Sequence, residues 1–236
     1  MKIILSVTTL FIHVLFFGQI EIKICSLKKV SPDKENITLS ITNLTNNYYA
    51  LPFDKNGFKG YNINEVCSDL KNLDYPHRFF ALSLMFEDRI KNEPIESLLR
   101  SYHLQSFDEK TINQINSLVN IHKQEILEWQ EENDLKLELD AERNFYIMNN
   151  LLLLAPKEKV TLNLEMNVYE IKRGDTMFYD YYNLEDKKKY DFSVILCADK
   201  GIYNYLTDTQ KVKLKKYMFF VGRIESNIIP YVFSYE

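Results

Sequence analysis

The chain has 236 residues, of which 46% are hydrophobic and 26% charged, and its formal net charge is −4. That apolar content supports a packed core and excludes a mostly disordered chain. The net negative charge argues against a general binder of nucleic acid or of anionic membranes, and only six glycines are available for phosphate-cradling loops.

Lys2 precedes an uncharged run from Ile3 to Phe17. A short positive start and an apolar centre of about 7–15 residues is the layout of a secretory signal peptide. A spanning helix needs about 20 apolar residues, and this run also holds Ser6, Thr8, Thr9 and His13. Export is therefore expected, to a periplasmic, extracellular or envelope-associated location. Cleavage is placed near Gly18 or Gln19, leaving residues 20–236 as one domain with no membrane span. Lipid attachment at Cys25 does not fit, because the charged Lys23 lies just before it. Cys25, Cys67 and Cys197 allow one disulfide and one thiol in an oxidising compartment, with the pairing open.

Strand signals come first. Ile20, Ile22 and Ile24 alternate with polar residues, as do Ile37, Leu39 and Ile41 after a turn at Ser31 to Lys34. Asn46-Asn47 leads into a strand from Tyr48 to Phe53, closed by Asp54 to Gly57. Phe80, Leu82, Leu84 and Phe86 share the face of another strand. From Pro94 the character changes, and Leu98, Leu99 and Tyr102 predict a short helix. Asp108 is a candidate N-cap for a longer one, whose stripe is Ile112, Ile115, Val119, His122, Ile126 and Trp129. A second helix is expected over Leu135 to Met148, although Leu135, Leu137 and Leu139 also alternate as in a strand.

Strands return at Leu151 to Leu154, at Val160 to Met166 and at Tyr190 to Leu196. Thr207 and Gln210 have capping-box spacing and predict a short helix to about Lys216. Strands from Met218 to Ile224 and from Ile228 to Phe233 close the chain. The pattern is two groups of strands around a helical insertion at about 94–149.

The segment "ITLSITNLTNNYYALPF", residues 37–53, resembles the early strands of immunoglobulin-like sandwiches in exported bacterial proteins. "LLLLAPKEKVTLNLEM" resembles a middle hairpin of such domains, and "VGRIESN" a last strand. Tyr190 resembles their tyrosine corner. The resemblance implies a mainly β, antiparallel, Ig-like β-sandwich. It brings no catalytic residue, metal or cofactor.

Candidate sites are few. His122 and Glu125 stand at i,i+3, too few for a metal without a third ligand, and His122 reads as a packing residue on the helix stripe. No nucleophile motif and no close-spaced zinc motif is present. Residues 108–145 hold ten acidic and four basic side chains. They read as a solvated helix face, or as a face docked on lysines such as Lys187, Lys188 and Lys189. Arg173-Gly174-Asp175 reads as an ordinary turn, and Asn36 and Asn43 begin glycosylation-type tripeptides. Tyr169, Phe178, Tyr179, Tyr181, Tyr182, Tyr203 and Tyr205 crowd one region. Strand alternation turns some of these rings outward, and Tyr179, Tyr181 and Tyr182 are the candidate binding surface. The expectation is a non-enzymatic binding module for a protein or glycan. The alternatives are a hydrolase of envelope sugar or peptide, or a protease inhibitor.

Overall fold

The computed structural model describes residues 19–31, 33–64, 67, 78–102, 108–173 and 177–234. The expected signal peptide up to Gly18, Pro32, His77, His103 and the Gly174-Asp175 pair lie outside these residues.

The fold is mainly β, with several antiparallel sheets. β1 (Ile20–Ser31), β2 (Lys34–Asn43) and β9 (Lys159–Met166) form one sheet in the order β1-β2-β9. The alternation read from the sequence sets its buried face: Ile20, Ile22, Ile24, Ile37, Leu39 and Ile41 all point into the core. A register shift between Ile24 and Ser26 ends the strict alternation of β1. There the side chain of Asn227 accepts from the Ile24 amide at 2.7 Å and donates to its carbonyl at 3.3 Å, taking the place of a neighbouring strand.

A second sheet has β12 (Lys189–Ala198) at its centre. β5 (Leu82–Asp88) pairs on one side, with β4 (Phe58–Gly60) parallel beyond it. β14 (Gly222–Glu225) and β15 (Ile229–Val232) pair along the other side, and β6 (Glu93–Ile95) joins β5. β12 is buried on both faces from Phe192 to Ala198. Phe86 stacks on Phe192 at 4.8 Å and meets Tyr231 at 5.0 Å. The buried residues of both sheets belong to one apolar cluster. Each fully buried Leu, Ile or Phe there stabilises by about 1.5–3 kcal/mol.

A third sheet orders β13 (Tyr217–Phe219), β3 (Tyr48–Pro52) and β8 (Leu151–Leu154), with β13 parallel to β3. Gly222, at φ +128°, occupies backbone space that side chains avoid and opens β14 beyond the end of β13. The fourth sheet is β10 (Ile171–Lys172), β11 (Phe178–Tyr181) and β7 (Leu98–Ser101), all antiparallel.

β6 and β7 correct the helix expected at Pro94 to Tyr102. Leu98, Arg100 and Tyr102 alternate along a strand, and Pro94 stands on a strand that pairs only with β5 among the described residues, where its missing N–H costs no ladder bond. The two longer helices are α1 (Glu109–Glu132) and α2 (Glu138–Asn149). Asp108 caps α1, accepting from the Thr111 amide at 2.7 Å. Of the alternating leucines at 135–139, Leu135 and Leu137 lie in the turn into α2 and Leu139 in its first turn.

α3 (Asp208–Lys213) follows a 3-10 turn at Lys200–Tyr205 and has the expected box between Thr207 and Gln210, although it stops before Lys216. A polar node fixes α1 and α2 to this region. Asn144 and Gln210 exchange side-chain hydrogen bonds, the Trp129 indole donates to Asn144 at 2.8 Å, and Asn144 donates to the Tyr205 carbonyl at 2.6 Å. The Arg143 guanidinium lies 4.9 Å over the Tyr205 ring. Lys188 pairs instead with Asp88 at 2.9 Å and Glu185 at 2.6 Å, and Lys187 approaches Asp186.

A disulfide joins Cys67 to Cys197 across 130 residues of sequence, and Cys25 is an exposed free thiol. Among the described residues no helix is long and apolar enough to cross a membrane.

Candidate functional site

The fourth sheet presents the tyrosines. Register sets Tyr179 beside Arg100 and Lys172, and Tyr181 beside Leu98. Opposed residues of an antiparallel pair share a face, so Leu98, Arg100, Lys172, Tyr179 and Tyr181 stand together. Tyr102, two residues beyond Arg100, joins them. Its ring lies 4.7 Å from that of Tyr179, which lies 6.4 Å from that of Tyr181. The three tyrosines are half-buried, so each shows part of its ring to solvent.

The opposite face explains why this sheet holds its position. Asp180 is 2% exposed, accepts from the Gly60 amide at 3.2 Å, and receives Arg173 through Nε at 3.0 Å and Nη2 at 2.9 Å. Gly60 permits that approach, because a Cβ there would stand 2.1 Å from the Ser97 hydroxyl and 2.9 Å from the Asp180 Cβ. The Gly60 hydrogen bond thus ties β11 to β4, the ion pair ties it to the end of β10, and the tyrosine face is left outward.

Tyr182 leaves the expected set. It is 2% exposed, its hydroxyl accepts from the Tyr61 amide at 2.6 Å and donates to the Leu84 carbonyl, and its ring meets Phe86 edge-on. The chain has left β11 at this point, and the side chain turns into the core. Burial raises the Tyr182 phenol far above its ordinary value, which keeps it a neutral hydrogen-bonding group. Other members of the crowd are also structural: Tyr203 stacks on Phe219 at 4.2 Å, Tyr169 meets Phe233, and Tyr205 lies under Arg143. Phe178 is exposed on the other face of β11. Sequence reasoning passed over Tyr102, whose signal was the period-two spacing of Leu98, Arg100 and Tyr102.

A cleft of about 460 Å³ adjoins this face, sharing Lys172 with it and lined also by Glu170, which accepts from the Tyr102 hydroxyl. Its wall runs from Lys34 at the start of β2 to Glu165 of β9 and Arg78. The carboxylates are engaged: Glu165 with Lys34 at 2.8 Å, Glu170 with the Tyr102 hydroxyl and Lys172, and Asp33 with the Ser31 hydroxyl. The Ser31 hydrogen bond holds the Asp33 carboxyl below its ordinary range, opposite to the shift a proton-donating acid needs. The cleft offers charged donors and acceptors to a polar ligand beside an aromatic platform.

His122 lies on α1 with Nδ1 3.4 Å from Glu125, and its ring meets Phe145 edge-on. Among the described residues no group of three or more His, Cys, Asp or Glu side chains is placed to hold a metal. Comparison of the chain with protein-family models, curated proteins and solved structures found no match.

Proposed function

We propose that the chain is an exported, non-enzymatic binding module that engages a glycan or protein of the cell envelope through Tyr102, Tyr179 and Tyr181. The observation that carries this reading is the tyrosine ladder itself: three neighbouring rings on an outward sheet face, flanked by Arg100 and Lys172 and opening onto a polar cleft. Tyrosine offers rigid contact area with a polar tip, which suits sugar faces and protein partners alike. Export is supported by the apolar run at Ile3 to Phe17 and by the Cys67–Cys197 disulfide, a bond of oxidising compartments.

The scaffold in this reading is an Ig-like sandwich with α1 and α2 inserted. Strands on either side of the helices pair with each other, β2 with β9, β3 with β8, and β5 with β12. Tyr190 supports it too, since its hydroxyl accepts from the Glu185 amide five residues upstream at 2.8 Å, as a tyrosine corner ties back to its own backbone. Hydrolysis has less support, because the cleft carboxylates are committed to hydrogen bonds and ion pairs.

The test is retention on immobilised envelope polysaccharide and envelope protein from the source cell. The chain should be retained, and Tyr179→Ala with Tyr181→Ala should abolish retention while leaving the melting temperature within a few degrees. Equal retention of the wild type and this double variant would overturn the assignment.

A further inference from the structure

The net charge of −4 conceals a strong segregation. Between Asp208 and Glu225 lie Lys211, Lys213, Lys215, Lys216 and Arg223 and no carboxylate, a local charge of +5 that leaves −9 on the rest of the chain. Arg223 is paired with Glu225 at 3.1 Å. The four lysines are exposed, and Lys213 and Lys215 make no ion pair among the described residues. They sit on α3 and on the turn from it into β13.

Apolar side chains are exposed among them. Val212, between Lys211 and Lys213, is 64% exposed, and Met218 on β13 is 46% exposed. Two tyrosines frame the patch. Lys216 Nζ lies 4.7 Å from the Tyr48 ring and 4.9 Å from the Tyr217 ring, and these rings meet edge-on at 5.6 Å. The platform is rigid, because the capping box at Thr207 and the Gln210–Asn144 node anchor α3 from below.

We infer that this Lys211–Met218 face docks on the surface of an anionic lipid bilayer, at a site separate from the tyrosine ladder. Lysines are drawn to the negative headgroup layer. Val212 and Met218 would gain nothing by facing a hydrated soluble polyanion, whereas at a bilayer they enter the acyl boundary while the lysine stems reach back to the headgroups. Tyr48 and Tyr217 suit the headgroup level, where tyrosine collects. The contact is peripheral and needs no spanning segment. It departs from the expectation set by net charge, because a surface responds to local charge within about a Debye length, not to the sum over the chain.

Sedimentation of the whole chain with vesicles tests the assignment. Vesicles of phosphatidylcholine with phosphatidylglycerol should carry the protein down, and pure phosphatidylcholine vesicles should leave most of it in solution; the neutral vesicles also report any hold by the N-terminal apolar run. Each lysine contributes about a fivefold factor, so replacing Lys211, Lys213, Lys215 and Lys216 with Gln should lower partition onto anionic vesicles by more than about a hundredfold. Val212→Ser with Met218→Ser should weaken it severalfold with all charges kept. Melting curves check that each variant folds. If the quadruple variant does not, Lys213→Glu with Lys215→Glu replaces it. Unchanged sedimentation of a folded lysine variant overturns the inference. So does indifference to the Val212 and Met218 changes combined with equal binding to soluble polyglutamate, which would mark an acidic macromolecule as the partner.

Discussion

The side-chain amides of Asn144 and Gln210 hold each other through two reciprocal hydrogen bonds of 2.7 and 2.9 Å, with Asn144 wholly buried. Trp129, Asn133 and the Tyr205 carbonyl complete their bonding. Asn144→Leu strands the Trp129 and Gln210 donors away from water. A buried polar group left unpaired costs about 1–3 kcal/mol, so urea unfolding of this variant should show a loss of about 3 kcal/mol. Gln210→Leu should cost nearly as much, and the double variant less than the sum of the two, because the amides act as a unit. Strictly additive losses would contradict that coupling.

Tyr182 and Tyr181 are neighbours with opposite duties. Tyr182→Phe removes only an oxygen, yet it leaves the Tyr61 amide and the Leu84 carbonyl without that partner in the interior. A loss of about 1–3 kcal/mol is expected. Tyr181→Ala removes a whole ring from a half-exposed position and should cost less than about 1.5 kcal/mol. Reversal of this order in thermal melts would place Tyr181, not Tyr182, in the core.

Alkali should unfold the protein in step with its tyrosines. Burial raises the phenols of Tyr146, Tyr182, Tyr203 and Tyr231 above their ordinary value. In the unfolded chain they ionise near pH ~10, so above that pH the unfolded state sheds protons that the native state keeps. Stability is therefore intact below about pH 10 and falls as the pH rises. Lys188, raised by its hydrogen bonds to Glu185 and Asp88, adds a loss of the same sign. Tyrosinate absorbance should show one group of phenols titrating freely and a second group appearing only with the loss of far-ultraviolet dichroism. A single smooth titration that precedes unfolding would refute this.

The acid side has its own group. The Lys188 hydrogen bond holds the Asp88 carboxyl below its ordinary range, helped by the Ile90 amide. Its contribution is present above about pH 4 and is lost as the pH falls further. Asp88→Asn should lower stability at neutral pH and flatten the decline in acid. An acid limb parallel to that of the wild type would count against the Asp88–Lys188 pair.

The disulfide constrains the unfolded chain more than it shapes the fold. Cys67 and Cys197 are 130 residues apart, and closing a loop near that length stabilises by about 5 kcal/mol in the chain-entropy account. Reduction, or Cys197→Ala, should lower the melting temperature by more than ten degrees, about the shift expected for a loss of this size. Cys25→Ser should leave the melt unchanged. A Cys25→Ser effect as large as that of Cys197→Ala would mean that the thiols pair differently.

Much of the fold was legible because burial on one face writes a period into the sequence. Ile20 to Ile24 and Ile37 to Ile41 follow it, and the caps at Asp108 and Thr207 announce helix starts through local hydrogen bonding. β6 and β7 were misread because three or four residues carry no full period, and Leu98 and Leu99 suit one helical turn as readily as a strand. Tyr182 escaped because alternation ends with β11, and only the positions of Tyr61 and Leu84 turn it inward. The Asn144–Gln210 pair spans 66 residues, a separation at which single-chain spacing says nothing. The lysine face was visible in the residues but masked by the sum over the whole chain.

The bond between Ile24 and Asn227 also bears on when the protein can fold. A ribosome adding about 5–20 residues per second leaves tens of seconds between those two residues. β5 likewise waits for β12, and β1 for the side chain that fills its bulge. The early strands have no completed core to enter until the last of their partners is made. The β1-β2 hairpin can pair as soon as both strands exist, but the second sheet and the bond at the β1 bulge are completed only when β12 and Asn227 have been made.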